Sequence, residues 1–157
     1  RMSEGAGREK HAERGCQGIV NDMNRSNSVV DYAAPDRVSG ILDLVDMVKN
    51  ALAIDLAVAA SYLTGLEEDV LTCVTDIVTA YHAVTPLTRD EVTLMRDLIV
   101  TRLLTSICIT NLRAARYPEN AVYILRNNGP ARRGMEQFAV LPRDTVTRHL
   151  LHACELE

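Results

Sequence analysis

The feature that most constrains the fold is one long apolar segment that begins at Thr88. Thr88 and Glu91 have the spacing of a capping box, in which both side chains satisfy backbone N–H groups at the start of a helix. The segment that follows, EVTLMRDLIVTRLLTSICITNLRAARY, has apolar residues over a stripe too wide for a surface helix, and Pro118 marks its end. We therefore expect a central helix that carries Ile99 and Leu103 through the core.

Shorter helices are predicted on both sides of this segment. Asn50 is placed to cap a helix through ALAIDLAVAASYLTG, which Gly65 would end. A second helix is predicted from about 67 to 82, with acidic residues in its first turn. Two more are predicted near the C-terminus, around 129–138 and 143–154.

The first part of the chain has β character. Between Gly18 and about Leu44 the short apolar runs GIV, SVVDY and RVSGIL occur, and Pro35-Asp36 is a turn signal that predicts a hairpin. A small sheet followed by a helical bundle predicts an α+β, mostly helical fold. Residues 1–15 are polar and are expected to be a flexible lead-in, and 16–157 are expected to form a single domain.

Composition excludes several functional classes. The net charge of -4 and the pI near 5.6 argue against nucleic-acid and membrane-surface binding. The sequence has no apolar run near the ~18 residues of a membrane span and no signal peptide at its start. The four cysteines are scattered without a CxxC pair, which predicts reduced, mostly buried thiols and a cytoplasmic protein.

Four polar residues follow the apolar runs of the β region: Asp22, Asn27, Asp43 and Asp46. One interpretation is turn chemistry, because Asp and Asn side chains bond their own backbone in tight turns. The other is a magnesium–phosphate site. The order strand, D-x-x-x-x-N, hairpin, D-x-x-D and then helices is that of a kinase catalytic lobe.

In the second interpretation each residue has a chemical role. Asp22 would accept the proton of the attacking hydroxyl or orient it. Asn27 and Asp43 would supply oxygen ligands to Mg²⁺, which prefers hard oxygens and keeps several waters. Asp46 would support the site through water or by holding the loop. Asp55, inside an apolar helix, needs a partner: it either braces the catalytic loop or faces solvent on a narrow polar strip.

The segments VNDMNRSN and GILDLVDM, with TPLT and YPEN further on, resemble the C-terminal lobe of the aminoglycoside phosphotransferase (choline-kinase-like) family. The family pattern is H-G/N-D-x-N-x-x-N followed by G-I-I/L-D-F-G-D-M, and the likeness is closest to the hydroxylysine kinase branch. The resemblance covers roughly Gly18 to Phe138. It implies a protein-kinase-like lobe that, with Mg²⁺ and GTP or ATP, transfers a γ-phosphate to a hydroxyl of a small amine such as 5-hydroxylysine.

The chain also departs from the family pattern. Val20 stands where the family has histidine, and Leu44-Val45 stand in place of Phe-Gly. The sequence has no glycine-rich loop and no strand lysine for the phosphates, so the N-terminal nucleotide lobe is expected to be absent. Two functions remain open: a kinase lobe that needs an upstream segment or partner chain, or a degenerate, non-catalytic module that binds a ligand or partner. A homo-oligomer is expected in the second case.

Overall fold

The structure, a computed structural model, describes residues 16–157, so the predicted lead-in over 1–15 lies outside the described residues. Packing divides the described residues into two compact units, of which the first ends at Ala59 and the second begins at Ala60. The assignment of 16–157 to a single kinase-like domain stays a prediction.

The first unit contains two small antiparallel sheets. One pairs two strands that are distant in the sequence, and the other is the predicted hairpin. Two short 3₁₀ turns follow the first and third strands, and the fourth is followed by a helix whose last residues belong to the second unit. The strands are β1 (Cys16–Ile19), β2 (Ser28–Val30), β3 (Val38–Ile41) and β4 (Val48–Ala51); the turns are Arg25–Asn27 and Leu44–Asp46; the helix is α1 (Leu52–Leu63).

The hairpin between β2 and β3 is confirmed, and ordinary turn chemistry closes it. Asp31 Oδ1 accepts a hydrogen bond from the Ala33 backbone N–H at 2.9 Å. The Asp31 N–H donates to the Arg37 carbonyl at 3.1 Å, at the mouth of the turn. Asp31 therefore shows what an aspartate in a purely structural turn does in this chain.

The predicted start of α1 at Asn50 is wrong. Residues Val48–Ala51 form β4, in which Asn50 lies opposite Gln17 of β1, and the helix begins at Leu52. The pairing satisfies the backbone groups of β1 that face β4, and such a distant contact overrides a local capping pattern. The predicted end is confirmed, since Gly65 follows the helix with a φ of 75°.

The second unit is helical. The long helix packs against each of the three helices that follow it, and the final helix also packs against the one before the long helix. The capping box at Thr88 and Glu91 is confirmed, with both reciprocal bonds present. The helices are α2 (Val70–Val84), α3 (Arg89–Arg116), α4 (Ala121–Ile124), α5 (Asn128–Ala139) and α6 (Arg143–Ala153).

The core of this unit lies along the first half of α3. Its fully buried large apolar side chains come from four helices: Val74, Val78, Val92, Met95, Ile99, Leu103, Phe138, Val146 and Leu150. The second half of α3 differs, because Leu104, Ile109 and Leu112 are exposed. The prediction of a central helix is therefore confirmed for the first half of α3, up to Leu103.

The cysteines are only partly as predicted. All four are free thiols, and Cys154 is buried, but Cys16 and Cys108 are exposed. Burial, together with the neighbouring carboxylates of Glu67, Asp76 and Asp69, raises the pKa of the Cys73 thiol. Within residues 16–157, none of the helices has the length and apolar character that crossing a membrane requires.

Leu103→Ala tests the position of α3. Leu103 is 2% exposed, so its truncation is expected to cost about 2–5 kcal/mol of unfolding free energy, the usual range for a buried leucine. The matched control is Leu112→Ala on the same helix, where the side chain is 72% exposed and the expected change is below about 0.5 kcal/mol. Urea unfolding of both variants measures the difference. Equal costs for the two would contradict the described core.

Candidate active site

The residue before Asp22 has an unusual backbone conformation that is held in place by a side chain. Asn21 has a φ of 60°, in the left-handed region that asparagine tolerates better than most residues. Its N–H donates to Asp55 Oδ1 at 2.8 Å. Asp55 of α1 thus braces the loop that carries Asp22, which confirms one of the two roles predicted for it.

Asp22 and Asn27 are in direct contact. Asn27 Nδ2 donates to the Asp22 carbonyl at 2.9 Å and to Asp22 Oδ2 at 3.3 Å. Asn27 is only 9% exposed, whereas Asp22 is half-buried. The predicted base and one predicted metal ligand therefore belong to one hydrogen-bonded group.

A third residue, Asn24, joins the same group. Its Nδ2 donates to the Asp22 carbonyl at 3.0 Å and to Asp22 Oδ2 at 3.3 Å. Its Oδ1 accepts from the backbone N–H groups of Ser26 at 2.9 Å and Asn27 at 3.2 Å, which caps the first 3₁₀ turn. No role is predicted for Asn24 from the sequence. The spacing N-x-S-N after an aspartate, typical of an Asx turn, was the signal that could have identified it.

Backbone pairing brings the second motif to the first. The Leu42 N–H donates to the Asn27 carbonyl at 2.8 Å, and Ile41 pairs with Ser28 in the hairpin. Asp43 is the next residue along the chain and is exposed. Asp46 ends the 3₁₀ turn Leu44–Asp46 and is also exposed. The fold thus places Asn27 beside the segment that carries Asp43, with Asp46 one short turn further on.

Asp43 has a strained backbone that turn capping does not explain. Its φ is 56° and its ψ is 65°, a left-handed conformation that costs a residue with a Cβ about 1 kcal/mol. It occupies the capping position of the turn Leu44–Asp46, yet its side chain makes no capping hydrogen bond. Turn chemistry accounts for the side chains of Asn24 and Asp31, whereas the Asp43 carboxylate does not cap its turn.

The oxygen atoms of the candidate side chains are chemically suited to bind Mg²⁺. The carboxylates of Asp22 and Asp43 and the amide oxygen of Asn27 are the hard oxygen ligands that Mg²⁺ takes, and Asn27 turns its nitrogen toward Asp22. No group of three His, Cys, Asp or Glu side chains within residues 16–157 is placed to hold a metal ion. A site here would thus depend on Asn27 as well as on carboxylates.

The departures from the family pattern at Val20 and Val45 have different structural consequences. Val20 is half-buried beside Asn21, where valine can make no hydrogen bond to a neighbouring loop. Val45 is 86% exposed within the second 3₁₀ turn. Positive φ values among the described non-glycine residues fall at Asn21, Asp43 and Glu155, so the backbone at Val45 does not require glycine.

Comparison with known proteins finds a distant similarity. The chain is 24% identical over 136 residues to a protein named hydroxylysine kinase from Danio rerio, a match over 85% of this chain and 38% of that protein. The chain therefore spans well under half the length of this relative. At this identity the match indicates a distant relationship to a kinase-like protein. No family model and no solved structure matches the chain.

Substitutions at Asp43 test its backbone conformation independently of its carboxylate, which both variants lack. Because φ is positive there, Asp43→Gly is expected to be more stable than Asp43→Ala by about 1 kcal/mol. At Asp46, where φ is not positive, the order should reverse, since glycine gains more entropy on unfolding. Thermal unfolding of the four variants measures this. If alanine is as stable as glycine at position 43, Asp43 does not have the described conformation.

Proposed function

We propose that the chain carries the catalytic loop of a small-molecule phosphotransferase. In this proposal the lobe transfers the γ-phosphate of GTP or ATP to a hydroxyl group of a small amine or amino acid, with 5-hydroxylysine as the first candidate. The observation that carries it is the hydrogen-bonded group of Asp22, Asn24 and Asn27, joined through Leu42 to the strained Asp43. The name of the distant relative supports the same reaction class.

In the proposed reaction Asp22 accepts the proton of the acceptor hydroxyl as its oxygen attacks the γ-phosphorus. The bond from that phosphorus to the β–γ bridging oxygen breaks, and the nucleoside diphosphate leaves with the electron pair. Asn27 and Asp43 would hold Mg²⁺, which when bound neutralises charge on the phosphates. Asp55 keeps Asn21 in its left-handed conformation and so fixes the backbone that presents Asp22.

The experiment uses a chimera, because the chain spans only 38% of the relative. In the chimera this chain replaces the matching segment of the Danio rerio hydroxylysine kinase. Radiolabelled GTP and ATP are offered with a panel of hydroxylated amines and with their deoxy analogues as controls. Label transfer to 5-hydroxylysine but not to lysine is the expected result. A folded chimera that labels no member of the panel would reject the proposal.

A non-catalytic lobe is the second candidate, and a specific observation favours it. Within residues 28–48 many large apolar side chains are exposed, including Val30 at 48%, Val38 at 59% and Val45 at 86%. Such a surface favours association with another protein chain. Under this alternative the chain would bind another protein chain, and the chimera would fold without transferring phosphate.

A further inference from the structure

Asn24 has more contacts than a capping residue requires. Its Oδ1 caps the turn by accepting from Ser26 and Asn27. Its backbone carbonyl accepts from the Ser28 hydroxyl at 3.1 Å, at the start of β2. Its Nδ2, which capping does not use, donates to Asp22 Oδ2 and to the Asp22 carbonyl. One side chain thus ties the turn to the carboxylate.

Two amides therefore act on the same oxygen. Asn24 Nδ2 and Asn27 Nδ2 each lie 3.3 Å from Asp22 Oδ2. Two donors from different points of one turn fix the direction of a carboxylate better than a single donor, since each removes a rotation that the other permits. The Asn24 side chain also holds the backbone of Asn27, so it links the carboxylate and the second amide.

We infer that Asn24 is a positioning residue, which sets the orientation of the Asp22 carboxylate relative to Asn27. The inference rests on the proposed function and adds to it a residue that acts through Asp22. Misplacing a reacting group by about 1 Å can cost 10²-fold in rate. Loss of the Asn24 donor should consequently lower turnover without weakening substrate binding.

The variants separate the donor from the cap. Asn24→Asp and Asn24→Ser keep an oxygen that can cap the turn, but the first has no donor and the second is too short to span to Asp22. Asn24→Ala removes both functions. Ser26→Ala is the matched control, because Ser26 contributes its backbone N–H to the group and this N–H remains.

Two readouts are needed. In the chain alone, NMR hydrogen exchange at the Asn27 backbone amide should change less than about twofold in Asn24→Asp and Asn24→Ser, and rise up to about tenfold in Asn24→Ala. In the chimera, Asn24→Asp and Asn24→Ser should lower kcat about 10–100-fold while the KM values for nucleotide and acceptor change less than about threefold. Ser26→Ala should match wild type in both readouts.

Opposite results would overturn the inference. If the two capping variants keep wild-type kcat, or if their KM values rise as much as kcat falls, Asn24 is a cap and nothing more. If the wild-type chimera is inactive, the proposed phosphotransfer fails. In that case, the side-chain amide signal of Asn27 in the chain alone decides the positioning role. A shift of that signal in Asn24→Ser supports the role, and an unchanged signal rejects it.

Discussion

Asp22→Asn in the chimera is expected to lower phosphotransfer to 5-hydroxylysine by about 10²–10⁴-fold, the usual contribution of a general base. Asparagine keeps the shape and the acceptor oxygen of the side chain, so the bonds from Asn24 and Asn27 are retained and folding should be unaffected. The loss should therefore appear in kcat. Single-turnover label transfer at saturating acceptor measures it.

Asp46→Asn is the matched control for this prediction. It removes the same charge from a neighbouring exposed turn, and Asp46 is expected only to support the site, so its effect should stay below about tenfold. Equal effects at the two positions would indicate a general response to lost negative charge. If Asp22→Asn retains full activity, Asp22 is not the base and the enzymatic interpretation fails.

Gly65→Ala is expected to cause a large loss of stability, about 3 kcal/mol or more. Gly65 has a φ of 75°, and an added Cβ would lie 2.0 Å from the Pro130 carbonyl oxygen and 2.8 Å from the Gly134 nitrogen. Both contacts are to backbone of α5, which cannot turn aside as a flexible side chain would. Urea unfolding at constant temperature measures the change.

Gly129→Ala in the first turn of α5 is the matched control. A Cβ at Gly129 would meet nothing within 4 Å, so this variant should equal wild type or gain up to about 1 kcal/mol from helix propensity. If Gly65→Ala unfolds with the same midpoint as Gly129→Ala, the described packing of the α1–α2 connection on α5 is wrong.

Local chemistry made much of this fold predictable. The capping box at Thr88, the hairpin turn at Pro35-Asp36 and the glycine after α1 are each determined by residues close together in sequence, and all three are present. The strand Val48–Ala51 could not be predicted in this way. It is fixed by pairing with Cys16–Ile19, and the local pattern at Asn50 indicates a helix start instead.

For the candidate site, the sequence selected residues but not their geometry. The D-x-x-x-x-N spacing identified Asp22 and Asn27, which the structure joins by hydrogen bonds. The left-handed conformations at Asn21 and Asp43 were not predicted, and the one at Asn21 is held by a hydrogen bond to the distant Asp55, which no local pattern specifies. The residue types were nevertheless a signal, since Asn and Asp are the residues with side chains that most often adopt this conformation.

A Mn²⁺ titration followed by NMR tests most directly whether the two motifs form one metal–phosphate site. Mn²⁺ with GTP or ATP, added to the isotope-labelled chain, should broaden the side-chain amide of Asn27 and the backbone amides near Asp22 and Asp43 before other signals. Asp43→Ala should abolish this broadening, whereas Asp46→Ala should leave most of it. Broadening confined to the acidic groove that contains Glu67, Glu68, Asp69 and Asp76, or none at millimolar Mn²⁺, would contradict the proposed site.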